Sequence, residues 1–211
     1  MKENFRGFSL LEITIVLVII GLLMGMASVS GNLHRSAQYG NVLSSFVLGW
    51  KESYNTYFDY TGFVVGDAAP ATGLVNGAAG DDLCSSAMLD DFKDAGVEVP
   101  AGRARDVEYL EIYQAPDGIQ KQVEVCFVHL VDWFVGPAVS DTQPANVMVL
   151  TGLSADLAMK IDAAIDGYAD SGWGEFRNAT DYNLGSSGAW PVLYDGDGDV
   201  VTVSAYFKMA N

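Results

Sequence analysis

Positive charge, histidine and cysteine are all scarce in this sequence, and each scarcity removes a class of function. Eleven Lys and Arg face 27 Asp and Glu, a formal net charge of −16. A general nucleic-acid binder needs a basic stripe to displace counterions from phosphates, and adhesion to an anionic lipid surface needs the same, so neither fits. The acids are spread along the chain, the pattern of a solvated face that keeps a protein soluble. His34 follows closely on a long apolar run and His129 is the only other histidine, so no nucleophile, base and orienting acid can be assembled around a histidine in the remaining chain. Two cysteines, Cys84 and Cys126, permit one bridge. In an oxidising compartment it would close a loop of about 40 residues and stabilise the fold by roughly 3–4 kcal/mol on a chain-entropy argument; two buried thiols are the alternative. Cys126-x-x-His129 does not read as a zinc site, because residues three apart on a strand face opposite sides.

What the sequence does have is one long apolar run. Phe8 to Val29, FSLLEITIVLVIIGLLMGMASV, is broken by a single acid, Glu12. Its 22 residues would reach about 33 Å as a helix, close to the ~30 Å hydrocarbon core of a bilayer. A carboxylate in such a segment costs on the order of 2.5–3.5 kcal/mol on insertion scales, so Glu12 needs a partner or a functional reason. Ahead of the run stands MKENFRG, with the cations Lys2 and Arg6 and a final Gly7. An ordinary secretory signal carries its small-residue cleavage site after the apolar region instead.

G-F-S-L-L-E at residues 7–12, followed by an apolar helix, resembles the N-terminus of the type IV pilin and type II secretion pseudopilin family. The resemblance implies that a prepilin peptidase cuts after Gly7 and methylates the new N-terminal residue, Phe8. It also implies that Glu12 is the glutamate that faces the N-terminal amine of a neighbouring subunit during filament assembly. An ammonium and a carboxylate facing hydrocarbon neutralise each other only when two subunits lie at one axial offset, so such a pair sets register. Cutting after Gly7 removes Lys2, Arg6 and Glu3, which leaves 9 cations against 26 acids.

Beyond the run, Leu33, Ala37, Tyr39, Leu43, Phe46, Trp50, Tyr54 and Tyr57 recur mostly at intervals of three and four, extending the helix to about Asp59. The Gly- and Ala-rich residues 60–80 read as loop. A short helix follows, capped by Asp81 or Asp82, with Leu83, Ala87, Met88, Phe92 and Ala95 inward and Gly96 as its stop. Val107–Tyr113 and Gln122–Leu130 alternate as strands around the Pro116-Asp117-Gly118 turn, and Asn146–Leu150 is a third strand. Ser154 caps a second helix with Leu157, Ile161, Ala164, Ile165 and Tyr168 inward and Gly167 at its end; Trp190–Tyr194 and Val200–Phe207 form a last hairpin. FVVGD at 63–67, DAGV at 94–97, LTGLSADLAMKIDAAIDG at 150–167 and SGWG at 171–174 are similar to elements of the larger pilin-like proteins, with Val65 in place of a proline and Gly167 in place of a second aspartate.

Asp195, Asp197 and Asp199 alternate with glycines, the spacing by which an acidic loop wraps calcium, although Val200 and Tyr206 depart from the EF-hand pattern; a plain acidic turn is the alternative. Trp133, Phe134, Trp173, Tyr182 and Trp190 read as core, with a sugar- or partner-binding surface as the alternative. The fold class is then α+β, a pilin-like long N-terminal spine helix packed on a C-terminal antiparallel sheet. It divides into a leader (1–7), a transmembrane or filament-core helix (8–30), its amphipathic continuation (31–60) and a globular head (61–211). The expected function is a pilin or pseudopilin subunit that is not an enzyme and requires no cofactor, with calcium as a candidate ion. Its partners would be other pilins in a homo- or hetero-oligomeric filament, the prepilin peptidase and the inner-membrane assembly platform, with no nucleic acid. It would start as a single-pass inner-membrane precursor with its head in the periplasm and end in a periplasmic or cell-surface filament. Two rivals remain: a membrane-anchored adhesin or carbohydrate binder exported with a pilin-type leader, and a glycosidase-like enzyme on a pilin stalk, for which no pair of acids stands out.

Overall fold

A computed structural model describes residues 9–104, 107–136 and 141–210, the side chains of 25–32 excepted. Two compact units divide between Ala37 and Gln38. In the first, helix α1 (Leu10–Asn41) begins, and every side chain from Leu10 to Met24 is exposed, Ile20 still at 42%. A helix apolar on all sides has its backbone satisfied but no face suited to water. Among the described residues no helix is long and apolar enough to cross a membrane. The expected span runs on through 25–29, whose side chains lie outside the described residues.

In the second unit the helix continues through a π-helical segment, Val42–Val47, into α2, Leu48–Thr61. Tyr39, Phe46, Trp50, Tyr54 and Tyr57 are buried as their spacing predicts, whereas Leu33 and Ala37 are exposed. The π segment widens the stripe, because its looser turn brings Val42 and Val47 inward beside Phe46. Gly62 ends α2 at φ 73°, and its N–H caps the Phe58 carbonyl.

Six antiparallel strands make the sheet: β1 (Leu83–Cys84), β2 (Leu110–Gln114), β3 (Gln120–Phe134), β4 (Thr142–Ser154), β5 (Phe176–Asn178) and β6 (Thr202–Lys208). The order is β1-β3-β4-β6-β5, with β2 also paired to β3. The predicted hairpin β2–β3 forms, closed by hydrogen bonds between Ala115 and Ile119 and between Gly118 and Ala115. One face of the sheet meets the helix: the Trp50 ring lies 6.2 Å and the Tyr54 ring 5.2 Å from Phe127, and Phe92, from the short helix Ser85–Asp94, lies 5.6 Å from Trp50. The other face buries a second cluster of Cys126, Val128, Trp133, Ala145, Val147 and Val149. Burial on both faces is why the centres of β3 and β4 read as near-continuous apolar runs. At the bulge in β4 Gly152 takes φ 80°, and Tyr113 pins it by donating from its hydroxyl to the Gly152 carbonyl while accepting the Ser154 N–H.

Three expectations are corrected. Asp81 and Asp82 cap no helix: Leu83 and Cys84 pair with Phe127 and Cys126 as β1, so α3 starts later, at Ser85–Asp94, and its buried face is Met88, Leu89 and Phe92 while Ala87 is exposed. Gly96 does end it, with Val97 N–H on Phe92 O and Gly96 N–H on Lys93 O, a Schellman closure. On α4, Ala155–Ile165, Ser154 stands at the N-cap without a side-chain capping bond; Ala164 and Tyr168 are exposed and Asp162 is buried instead. The last hairpin reduces to one bridge, Tyr194 to Val200, because β4 pairs along one edge of β6 and β5 takes the other at Ala205–Phe207.

Candidate functional site

Gly7 and Phe8 lie outside the described residues, and the site begins at the residue after them. Ser9 precedes the first turn of α1, and its Oγ accepts the Leu11 N–H at 3.3 Å. Glu12, three residues on, reaches back so that its Oε2 accepts the Ser9 N–H at 2.9 Å. This is a capping box, in which each side chain satisfies a backbone donor that a helix start leaves open. The S-x-x-E signature was present in the sequence at residues 9–12, and it shows that Glu12 has a partner within its own chain one residue from Phe8.

Residues 3–28 match the prokaryotic N-terminal methylation motif. The chain carries the prepilin signal of type IV pilins and pseudopilins. No curated protein and no solved structure matches it. The prepilin signal accounts for the order leader, glycine, aromatic residue and acid. The capping box then describes what the acid of this prepilin signal does in a single subunit.

In the head, Cys84 and Cys126 are bonded to each other across the β1–β3 pair, separated by 42 residues. His129 is buried, and its Nδ1 lies 2.7 Å from Asn146 Oδ1, an oxygen that also accepts the Val75 N–H. Trp133, Phe134 and Trp190 are buried, which removes three of the five rings that a sugar platform would draw on. Asp195 Oδ1 accepts the N–H groups of Asp197 and Asp199, so this carboxylate closes its own turn. Among the described residues no three His, Cys, Asp or Glu side chains stand together as a metal site.

Sequence reasoning passed over a group of buried charges around the 166–190 segment. Asp162 is fully buried; its Oδ2 accepts the Trp190 Nε1–H at 2.7 Å and the Asp170 N–H at 2.6 Å. Burial, with Asp166 on the next turn of the helix adding repulsion, pushes its pKa up to about 7 despite those donors. Asp166 accepts the Glu175 and Phe176 N–H groups, both at 3.0 Å. Burial alone would raise Asp170 too, but donors from Ser187, Gly188 and Gly172 outweigh it and hold the carboxyl below its usual range. Arg177 on β5 is 5% exposed, and among the described residues no carboxylate pairs with it. Its Nε donates to Gly174 O, its Nη1 donates to Phe134 O and Tyr182 O, and its guanidinium lies 4.2 Å over the Trp133 ring. Burial pulls its pKa down to about 10, while the fields of Asp166 and Asp170 act in the opposite direction. Only the fold could reveal this group, since Asp162 and Trp190 stand 28 residues apart.

Proposed function

We propose that the chain is a non-catalytic structural subunit, a pilin or pseudopilin, of a type IV pilus or type II secretion-type filament. The observation that carries this reading is the prepilin signal joined to a helix with apolar side chains on every side from Leu10 to Met24. Such a surface is satisfied either by lipid or by the same helices of other subunits, so one segment serves as anchor before assembly and as filament core after it. Cleavage after Gly7 would free the Phe8 amine, one residue from the amide that Glu12 holds, and Glu12 would exchange that amide for the amine of a neighbour. The exchange costs one capping bond and removes an unpaired charge from an apolar core, so it favours assembled subunits at a single offset.

Intact mass and N-terminal sequencing of the native protein test the proposal. The expected terminus is methylated Phe8, and an unprocessed Met1 terminus in a host that has the peptidase would remove its basis. Electron microscopy of sheared cells should show filaments containing the chain; single dispersed subunits would favour the anchored binding module.

A further inference from the structure

We infer that the head carries a knob and a hole for a second copy of itself: the acidic turn Asp195–Asp199 of one subunit seats in a basic recess at the opposite end of β6 on the next. The inference rests on the filament reading. The recess, about 330 Å3, is lined by Lys51, Arg177 and Lys208 together with Phe134, Trp173 and Glu175. Three of the eleven Lys and Arg of the chain therefore converge in a protein of net charge −16. Lys51 is engaged, with its Nζ 3.4 Å from Glu175 Oε2 and 4.1 Å from the centre of the Phe207 ring. Lys208 Nζ and Arg177 Nη2 make no hydrogen bond or ion pair among the described residues, although Arg177 is almost wholly buried. A guanidinium held on three carbonyls, with one nitrogen left over at the wall of a recess, is preorganised to take a carboxylate.

The knob lies at the other end of the same strand. Residues 195–199 are all exposed, and a side chain added at Gly196 or Gly198 would meet nothing within 4 Å, so the turn stands clear of the head. The Tyr194–Val200 bridge and the bond from Asp195 N–H to Asp199 O fasten its base. Asp195 is spent on closing the turn, but the carboxylates of Asp197 and Asp199 have no partner among the described residues. From Thr202 to Lys208 β6 advances about 20 Å, which keeps knob and hole apart within one subunit. A patch that fits a different patch of an identical chain makes a heterologous contact, and such contacts propagate as an open filament when the rotation does not close a ring. Subunits this acidic repel one another, and the recess is where that repulsion is reversed.

The test uses full-length subunits in cells that assemble the wild-type chain. Asp197→Cys combined with Lys208→Cys should give a ladder of dimers, trimers and higher species on mild oxidation, whereas either variant alone should stop at dimers. Asp197→Lys and Lys208→Asp should each lower filament yield roughly tenfold or more, and the two together should restore it. Abundant filaments from the double-cysteine chain with no ladder, or no rescue by the paired reversal, would overturn the contact and leave the filament reading intact. Absence of wild-type filaments would overturn both.

Discussion

Replacing Asp162 by asparagine removes a charge that the interior of the head holds at a cost. The carboxyl is fully buried, its Oδ1 has no partner among the described residues, and Asp166 lies on the next turn of the same helix. Burial, and after it the repulsion from Asp166, moves its pKa from 3.8 to about 7 in the folded state. In the unfolded chain the group returns to the ordinary carboxyl range near 4. Below that value it is protonated in both states and the fold bears no penalty. Between about pH 4 and pH 7 the unfolded chain releases the proton while the native state keeps it, so stability is lost as pH rises, at up to about 1.4 kcal/mol per unit. Above pH 7 the loss is complete, on the order of 4 kcal/mol. Asparagine keeps an oxygen for Trp190 Nε1 and the Asp170 N–H and does not titrate. Denaturant unfolding of the full-length protein in detergent, followed by tryptophan fluorescence from pH 4 to 8, should show the variant gaining on the wild type by on the order of 4 kcal/mol across that range. Asp67 and Asp170, whose carboxyls are held below their usual range, add stability above pH 4 that is lost on acidification, but they are common to both proteins and cancel in the difference. A wild-type-minus-variant difference that stays flat with pH would refute the argument.

Glu12→Gln separates the two roles of that residue: the amide still accepts the Ser9 N–H, so the helix start should survive, while filament yield should fall as far as in Glu12→Ala because the charge is gone. Wild-type yield from the glutamine variant, counted by electron microscopy, would show that assembly needs the cap and not the charge. Cys84→Ser or Cys126→Ser should cost roughly 4 kcal/mol, the chain-entropy value for a loop of this length, read from denaturant midpoints, and reductant should lower the wild type to the same level. Asp195→Ala should destabilise the head by about 1 kcal/mol in calcium and in chelator alike, since it removes the acceptor for two turn amides, whereas Asp197→Ala should be near neutral. A melting temperature that rises in calcium for the wild type and not for Asp197→Ala would instead place the ion at Asp195, Asp197 and Asp199.

What could be read directly from the sequence was local. The prepilin signal is a run of consecutive residues, the stripe Tyr39 to Tyr57 is a period along one helix, and the Pro116-Asp117-Gly118 turn brings together strands that are neighbours in the chain. The Ser9–Glu12 capping box is equally local, an S-x-x-E spacing within one helical turn. The start of α3 slipped because Leu83 and Cys84 obey a strand more than 40 residues away and not the aspartates beside them. The last hairpin failed for a related reason: β6 finds its edges filled by β4 and β5, and whether an edge is free is a property of the finished sheet. Burial of Asp162 and Arg177 also had no signature, because a charged side chain looks solvated until distant segments bring it donors and carbonyls in place of water. The sequence by itself determined the prepilin signal and the helices and turns with their own periods and breakers. Tertiary structure alone decided which edges pair, which charges lose their water and where three cations meet, since each depends on the desolvation and hydrogen bonding that only long-range packing supplies.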